Sequence, residues 1–324
     1  MNPVKVGVVG VGHMGLLHAE AYARNPLAEL VAVADVRQDA ADRAAERFGA
    51  RAFPDAAGML AGADLQAVSV CTNDEQHVAP ALACMAAGKH VLVEKPIATT
   101  VADADEIIGA AERAGVKLLV GQCVRFDPRY AHVKQRLDSG ELGELVAVFT
   151  RRLNHVGLQE RLGGRVSVLS FLGVHDFDYL LWLAGDRPVR VHTESVAKVH
   201  RAAGIDVEDH TFTLIRFAGG PVGCVEAGWV LPDAHPRQAD FKLEVVGTRG
   251  VAQYDLLAGE LAVCTQSGWE IPRISPGLDP EINHFLDCVA NDRPPRISGA
   301  DGREALRLSL AAQESARTGR TVEM

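Results

Sequence analysis

The sequence has no run approaching the roughly 20 uninterrupted apolar residues that span a bilayer, so its 324 residues hold no candidate membrane segment. It also has no CxxC pair and no Cys/His cluster at metal-ligand spacing. Cys71, Cys84, Cys123, Cys224, Cys264 and Cys288 are scattered, which excludes structural zinc and a disulfide scaffold and reads as buried thiols in a reducing cytoplasm. Basic charge is short as well. Thirty-three Lys and Arg against 42 Asp and Glu leave a formal charge of −9, so a polyanion held by counterion release meets net repulsion and nucleic acid is excluded as a partner. Met1 to Lys5 lead straight into an apolar strand, without the ordered charged, apolar and small-residue regions of an export signal. Internal repeats, low-complexity tracts and an evident linker are all missing.

What remains is a globular balance of 48% apolar and 23% charged residues, at a length that accommodates about two domains. Short apolar runs at Val4–Val9, Leu30–Ala34, Ala67–Cys71, His90–Val93 and Lys117–Val120 alternate with helical patterns at Leu16–Arg24, Asp39–Phe48, His77–Ala87 and Val101–Ala114. That alternation predicts strand-helix-strand units on a parallel sheet, an N-terminal doubly wound α/β (Rossmann) domain over residues 1–122. A helix at Pro128–Leu137 follows. The pattern then turns to period two at Leu145–Arg151, Val189–Val196, Thr211–Phe217, Val222–Trp229, Phe241–Val246 and Val251–Leu256, with hairpin turns at Ala218-Gly219-Gly220 and Gly247–Gly250. A long apolar helix, Val168–Ala184, stops at Gly185, and helices at Glu281–Ala290 and Ala300–Arg317 close the chain. Residues 123–324 are therefore expected to form an α+β domain with a large open, mostly antiparallel sheet.

Gly10, Gly12 and Gly15 spell GxGxxG directly after the first strand and at the opening of a helix. The first glycine permits the tight turn, the second lets backbone approach a pyrophosphate, and the third lets helix and strand pack closely, while the helix N-terminus offers free N–H groups to phosphate. Asp35 closes the second strand, where a carboxylate accepts the ribose hydroxyls and repels a 2′-phosphate; this points to NAD over NADP. Arg37 stays open as a solvated charge or as the holder of a 2′-phosphate. Glu94-Lys95-Pro96 follows the strand ending at Val93, at the carboxyl edge where open α/β sheets bind ligands. A lysine there stabilises a developing alkoxide or hydrogen-bonds a carbonyl oxygen; the plain alternative is a surface lysine on a turn. His175 and Asp178, three apart on the apolar helix, share a face, and a carboxylate-ordered histidine is a general base towards an alcohol. A paired core histidine is the competing reading.

These motifs, in this order, resemble the glucose-fructose oxidoreductase / inositol dehydrogenase / MocA family of NAD(P)-dependent oxidoreductases, which act largely on sugars and cyclitols. The likeness runs almost end to end, through Cys71-Thr72-Asn73 with His77, Gly88-Lys89-His90-Val91 before Glu94-Lys95-Pro96, Arg125-Phe126-Asp127-Pro128, the HxxD of His175 and Asp178, and Ser315–Arg320. The resemblance implies that Lys95 contacts substrate and nicotinamide, that His175 transfers the proton, and that Asp178 contacts or orients the substrate. It also implies a cis Lys95-Pro96 bond and a homodimer or homotetramer formed through the large sheet. Cofactor contacts are expected from Gly10, Gly12, His13, Met14, Gly15, Asp35, Val36, Arg37, Cys71, Thr72, Asn73, His77, Glu94, Lys95 and Pro96. Substrate contacts are expected from Lys95, Arg125, Asn154, Phe171 and His175, and no metal is expected.

One departure bears on mechanism. Many dehydrogenases of this family carry an aspartate four residues before the catalytic histidine, where this chain has Phe171. Asn73, where proline is common, alters only a turn. The reading is a cytoplasmic NAD-dependent dehydrogenase that interconverts a secondary alcohol and ketone of a sugar, cyclitol or sugar derivative. Two alternatives stand beside it: an NAD-dependent glycosidase of the same fold, and a nucleotide-binding regulator that does not turn over, which Phe171 keeps open.

Overall fold

The computed structural model describes residues 2–272 and 279–324. The chain divides into two compact units, Met1–Phe126 with Gly277–Leu306 and Asp127–Pro276 with Arg307–Met324. In chain order the elements are β1 (Val4–Val9), α1 (His13–Arg24), β2 (Ala28–Ala34), α2 (Gln38–Phe48), β3 (Arg51–Phe53), α3 (Ala56–Gly62), β4 (Ala67–Val70), α4 (Val78–Ala86), β5 (His90–Glu94), α5 (Val101–Ala114) and β6 (Leu118–Gly121). There follow α6 (Pro128–Asp138), β7 (Leu145–His155), α7 (Gly157–Leu162), α8 (Val174–Ala184), β8 (Pro188–Val196), α9 (Val199–Ala202), β9 (His210–Phe217), β10 (Val222–Leu231), β11 (Ala239–Gly247), β12 (Gly250–Asp255), β13 (Glu260–Thr265), β14 (Gly268–Glu270), α10 (Asp279–Ala290), α11 (Gly299–Thr318) and β15 (Val322–Glu323).

The first unit carries a six-stranded sheet in the order β3-β2-β1-β4-β5-β6, parallel at every pairing. The inner strand β4 and the edge strand β6 are both buried along their whole length, as continuous apolar runs covered on both faces must be. Helix boundaries follow local chemistry: the Thr100 side chain accepts the Asp103 N–H to open α5, and Gly115 closes it in the left-handed conformation. Reversal of strand order beside β1 opens the crevice in which such sheets bind nucleotides.

The second unit carries a nine-stranded sheet, β14-β13-β12-β11-β7-β10-β9-β8-β15, antiparallel apart from the β7/β10 pair. The period-two alternation holds closely in β9, where Thr211, Thr213, Ile215 and Phe217 are buried while Phe212, Leu214 and Arg216 are exposed. Both expected hairpins form, β9/β10 and β11/β12.

Three expectations need correction. The boundary at 122/123 leaves both closing helices in the second domain, but Gly277–Leu306 clusters with the first unit. There Arg24 pairs with Asp279 at 3.1 Å, and a Cβ on Gly302 would stand 2.8 Å from Val120. An amphipathic pattern tells that a helix has a buried face, not which sheet buries it. The apolar helix is also not uniform: Leu169–Gly173 form a π turn ahead of α8. This wider turn shifts the register of Phe171 relative to His175 and Asp178. Finally, β3, α3, α7, α9, β13, β14 and β15 were not expected. Short edge strands such as β3 and β14 have exposed residues and too few positions to show alternation.

Asp176, between the two polar residues of the HxxD motif, anchors α8 to β7: Arg152 Nε and Nη2 donate to its two carboxylate oxygens at 2.6 and 3.2 Å, with both residues buried. Removing one partner of such a pair strands an uncompensated charge. We expect Asp176→Ala to lower unfolding free energy by about 3–5 kcal/mol, read as a fall in the urea midpoint without change in the slope.

Candidate functional site

The glycine turn is built by contact. Gly10 adopts φ +83°, and a Cβ there would stand 2.7 Å from the Thr72 nitrogen; a Cβ on Gly15 would stand 1.8 Å from the Gly10 carbonyl oxygen. Gly12 is the opposite case, since its Cβ would meet nothing within 4 Å. The middle glycine therefore faces open space at the start of α1, whose first turn carries no acidic residue and no side-chain cap. Its N–H groups are left to a ligand, and the positive end of the helix favours an anionic one.

Asp35, just beyond β2, accepts the Val11 N–H on Oδ2 and the Arg37 N–H on Oδ1, each at 2.9 Å. A carboxylate has about four acceptor positions, so two remain for hydroxyl donors. Beside it lies a cavity of about 420 Å³ lined by Val11, Gly12, His13, Leu16, Arg37, Ala40, Arg43, Ala44 and Arg47. Arg43 is paired with Asp39 at 2.7 Å and Arg47 with Glu20 at 3.4 Å, whereas Arg37 stands 3.8 Å from Asp35. His13 lines this cavity, and Val36 is exposed next to it. An open turn that only glycine can form, a bare helix start and a carboxylate with spare acceptors fit a dinucleotide with free ribose hydroxyls.

The carboxyl ends of β4 and β5 hold the remaining expected residues of this unit. The Lys95-Pro96 bond is cis. His77, grouped with the cofactor contacts, is buried with its ring nitrogens 2.8 Å from the Pro96 carbonyl and 3.1 Å from that of Thr72. It braces the two turns, and burial holds its pKa below the ordinary value. Glu94 is likewise turned inward: Oε2 accepts the Lys95 N–H at 3.1 Å, and Oε1 lies 3.0 Å from His18 Nε2. Cys71 is buried beside Gly15. Arg125, an expected substrate contact, is buried with its guanidinium 3.2 Å from Asp301.

His18 was not singled out from the sequence. It lies on the buried face of α1 and stands 3.1 Å from the Ser69 hydroxyl, which in turn is 2.7 Å from the Tyr22 hydroxyl. Burial opposes a charged imidazolium, yet Cys71 and Glu94 outweigh it and hold the His18 pKa well above the ordinary value. Burial likewise pushes the Glu94 carboxyl up, and His18 and Lys95 outweigh it and bring it below the usual range. The one available signal was two polar residues, His18 and Tyr22, at i and i+4 on a face otherwise made of small residues.

In the second unit His175 is half-buried and Asp178 fully buried, both on α8. The Phe171 ring, on the π turn, packs 6.3 Å from that of Trp229, which is itself fully buried and donates its indole N–H to the Glu208 carbonyl. Asn154 lies half-buried near the end of β7. Among the described residues no group of three or more His, Cys, Asp and Glu side chains could hold a metal ion, and no helix is long and apolar enough to cross a membrane.

Since a carboxylate with spare acceptors stands at the end of β2 beside the glycine turn, where it favours ribose hydroxyls and repels a 2′-phosphate, NADH should bind more tightly than NADPH. Asp35→Ala should narrow the gap by about tenfold or more, the worth of hydrogen bonds to a charged group. Fluorescence titration of both dinucleotides reads this directly, and equal affinities in the parent would give the pocket to Arg37.

Comparison with known proteins agrees with this geometry. Residues 4–122 match the family model described as "Oxidoreductase family, NAD-binding Rossmann fold", and residues 130–253 match that of the "GFO/IDH/MocA C-terminal domain". An inositol 2-dehydrogenase of Rubrobacter xylanophilus is 31% identical over 98% of this chain and 92% of its own length. UDP-N-acetylglucosamine 3-dehydrogenase of Acidithiobacillus ferrooxidans is 29% identical over 96% of both chains. Its solved structure superposes with a TM-score of 0.85, covering 97% of this chain and 98% of that one. GenD2 from gentamicin A biosynthesis, solved in complex with NAD, is 27% identical with a TM-score of 0.85 over 100% of this chain and 97% of that one. From its glycine turn to its open sheet, the chain belongs to the glucose-fructose oxidoreductase / inositol dehydrogenase / MocA family, as a nicotinamide-dependent dehydrogenase acting on CH–OH groups.

Proposed function

We propose that the chain interconverts a secondary alcohol and its ketone on a cyclitol or sugar derivative that presents one weakly polar ring face, with NAD as its coenzyme. The observation that carries this is the setting of Lys95: it follows β5 at the carboxyl edge of the sheet that bears the glycine turn, with its backbone N–H held by a buried carboxylate. When bound, NAD supplies the redox chemistry by taking up or returning a hydride. The chain's own residues do the rest. His175 takes the hydroxyl proton during oxidation and gives it back in reduction. Asp178, one turn along α8, supports its imidazolium. The Lys95 ammonium steadies the substrate oxygen as negative charge gathers on it.

Phe171 sets the substrate preference in this reading. Packed on Trp229, it presents a ring where a carboxylate would bind hydroxyls, which favours a derivative over a bare polyol. The relatives act, by their names, on inositol and on UDP-N-acetylglucosamine, and Phe171 turns the choice towards the second kind of substrate. The same residue also favours a second reading, a dinucleotide-binding regulator without turnover.

Single-turnover mixing with NAD and a panel of myo-inositol, scyllo-inositol, free sugars and UDP-N-acetylglucosamine decides between them. We expect hydride transfer with a sugar derivative, and Phe171→Asp should shift preference towards polyols. No transfer with any of the panel, together with tight NADH binding, would favour the regulator. Lys95→Ala should lower kcat by about a hundredfold, the cost of one lost donor to a developing oxyanion, while NADH affinity stays near that of the parent.

We further propose that the molecule is a homo-oligomer built on the open face of the large sheet, and that it works in the cytoplasm, where its six free cysteines stay reduced. Phe212, Leu214, Val222 and Val246 are exposed large apolar residues of this sheet, and an apolar surface of that kind marks an interface. Sedimentation equilibrium should give a dimer or tetramer for the parent, and the double substitution Phe212→Glu, Leu214→Glu should give a smaller species. A monomeric parent would remove this part of the proposal.

A further inference from the structure

We propose that His18 and Glu94 together position Lys95, tying the lysine's backbone to the helix whose N-terminus receives the coenzyme's phosphates. The inference rests on the reading of Lys95 given above. Neither side chain acts on substrate: His18 is wholly buried and Glu94 nearly so. Both are positioning residues.

The linkage is continuous and short. The Glu94 carboxylate uses both oxygens, Oε1 towards His18 Nε2 at 3.0 Å and Oε2 towards the Lys95 N–H at 3.1 Å. On the far side of the imidazole, Nδ1 stands 3.1 Å from Ser69 Oγ on β4, and the Tyr22 hydroxyl, also on α1, closes on the same Ser69 oxygen at 2.7 Å. A neighbouring strand makes the room: Gly121 on β6 pairs with Glu94, and a Cβ there would stand 3.1 Å from the carboxyl carbon and from Oε1. Three elements, α1, β5 and β6, thus meet at one carboxylate, and β4 joins them through the imidazole. A charge pair taken out of water is held in place because any departure exposes an uncompensated charge to an apolar interior. Pro96 carries no N–H, so the last backbone donor of this strand end is the one that Glu94 holds.

The chemistry of the carboxylate supplies a selective test. Glutamine keeps the shape of Glu94 but offers one acceptor oxygen where two N–H groups demand one each. Glu94→Gln should therefore release the Lys95 amide, and Gly121→Ala should do the same by crowding the carboxylate without touching either partner. The first readout is hydrogen exchange of the Lys95 amide in the NADH complex and in the apoprotein. Both variants should speed it by about tenfold or more, while the amides of β4 keep their protection.

The second readout is a kinetic cycle on whichever substrate of the panel turns over. Glu94→Gln should lower kcat by about tenfold in the parent with the KM for NAD unchanged, and should change nothing further in the Lys95→Ala background. Unchanged exchange in a folded Glu94→Gln protein, or losses that multiply with those of Lys95→Ala, would overturn the proposal. A Lys95→Ala variant with parental kcat would instead overturn the role of Lys95 itself. In that event the exchange measurement still decides whether the pair holds the strand end.

Discussion

The first unit depends on one close approach, that of the Gly15 α-carbon to the Gly10 carbonyl. A single methyl group at residue 15 would overlap that oxygen at 1.8 Å, so the depth at which α1 lies against β1 and β4 is set by the missing side chain. Because the helix lies that deep, its first N–H groups face the open ground beside Gly12, and its inner face brings His18 within reach of Glu94. The glycine that sets this depth is thus also the one that brings a histidine to the lysine-bearing strand.

Charge is buried in this molecule where an element must be located exactly. Arg152 with Asp176 locates α8 on the large sheet, and His18 with Glu94 locates the end of β5. Buried pairs contribute little net stability against apolar residues of equal size. Their use here is geometric, because an apolar contact slides and a desolvated ion pair does not.

The second unit spends its two sheet faces differently. One face is packed, with threonine and aliphatic side chains in alternation, and the other leaves phenylalanine and leucine in water. Such an arrangement is stable in a single chain because β-branched and aromatic residues on the covered face supply the core. The π turn at Leu169–Gly173 sits where the covered face meets the HxxD helix, and it carries Phe171.

Much of this architecture was legible in the residues themselves. The parallel sheet, the glycine turn, the acid after β2 and the hairpins of the second sheet each rest on a local rule, a period of two, a period of 3.6 residues or a position that only glycine can occupy. Lys95 and His175 drew notice because each stands at a motif with fixed spacing, while their roles came from the family resemblance. That the Glu94 and His77 side chains turn inward was not legible, because spacing cannot tell whether a side chain turns inward or outward. His18 went unnoticed because its partners, Ser69 and Glu94, are 51 and 76 residues away. The π turn escaped because one extra residue in a helix leaves an apolar pattern almost unaltered. The sequence by itself determined which segments become strands, helices and turns, since those are settled within a few residues by sterics and hydrogen bonding. Only the tertiary structure decided that α10 covers the first sheet and that one carboxylate joins a helix to a lysine, because burial brings together groups far apart in the chain and removes the water that would otherwise weaken their attraction.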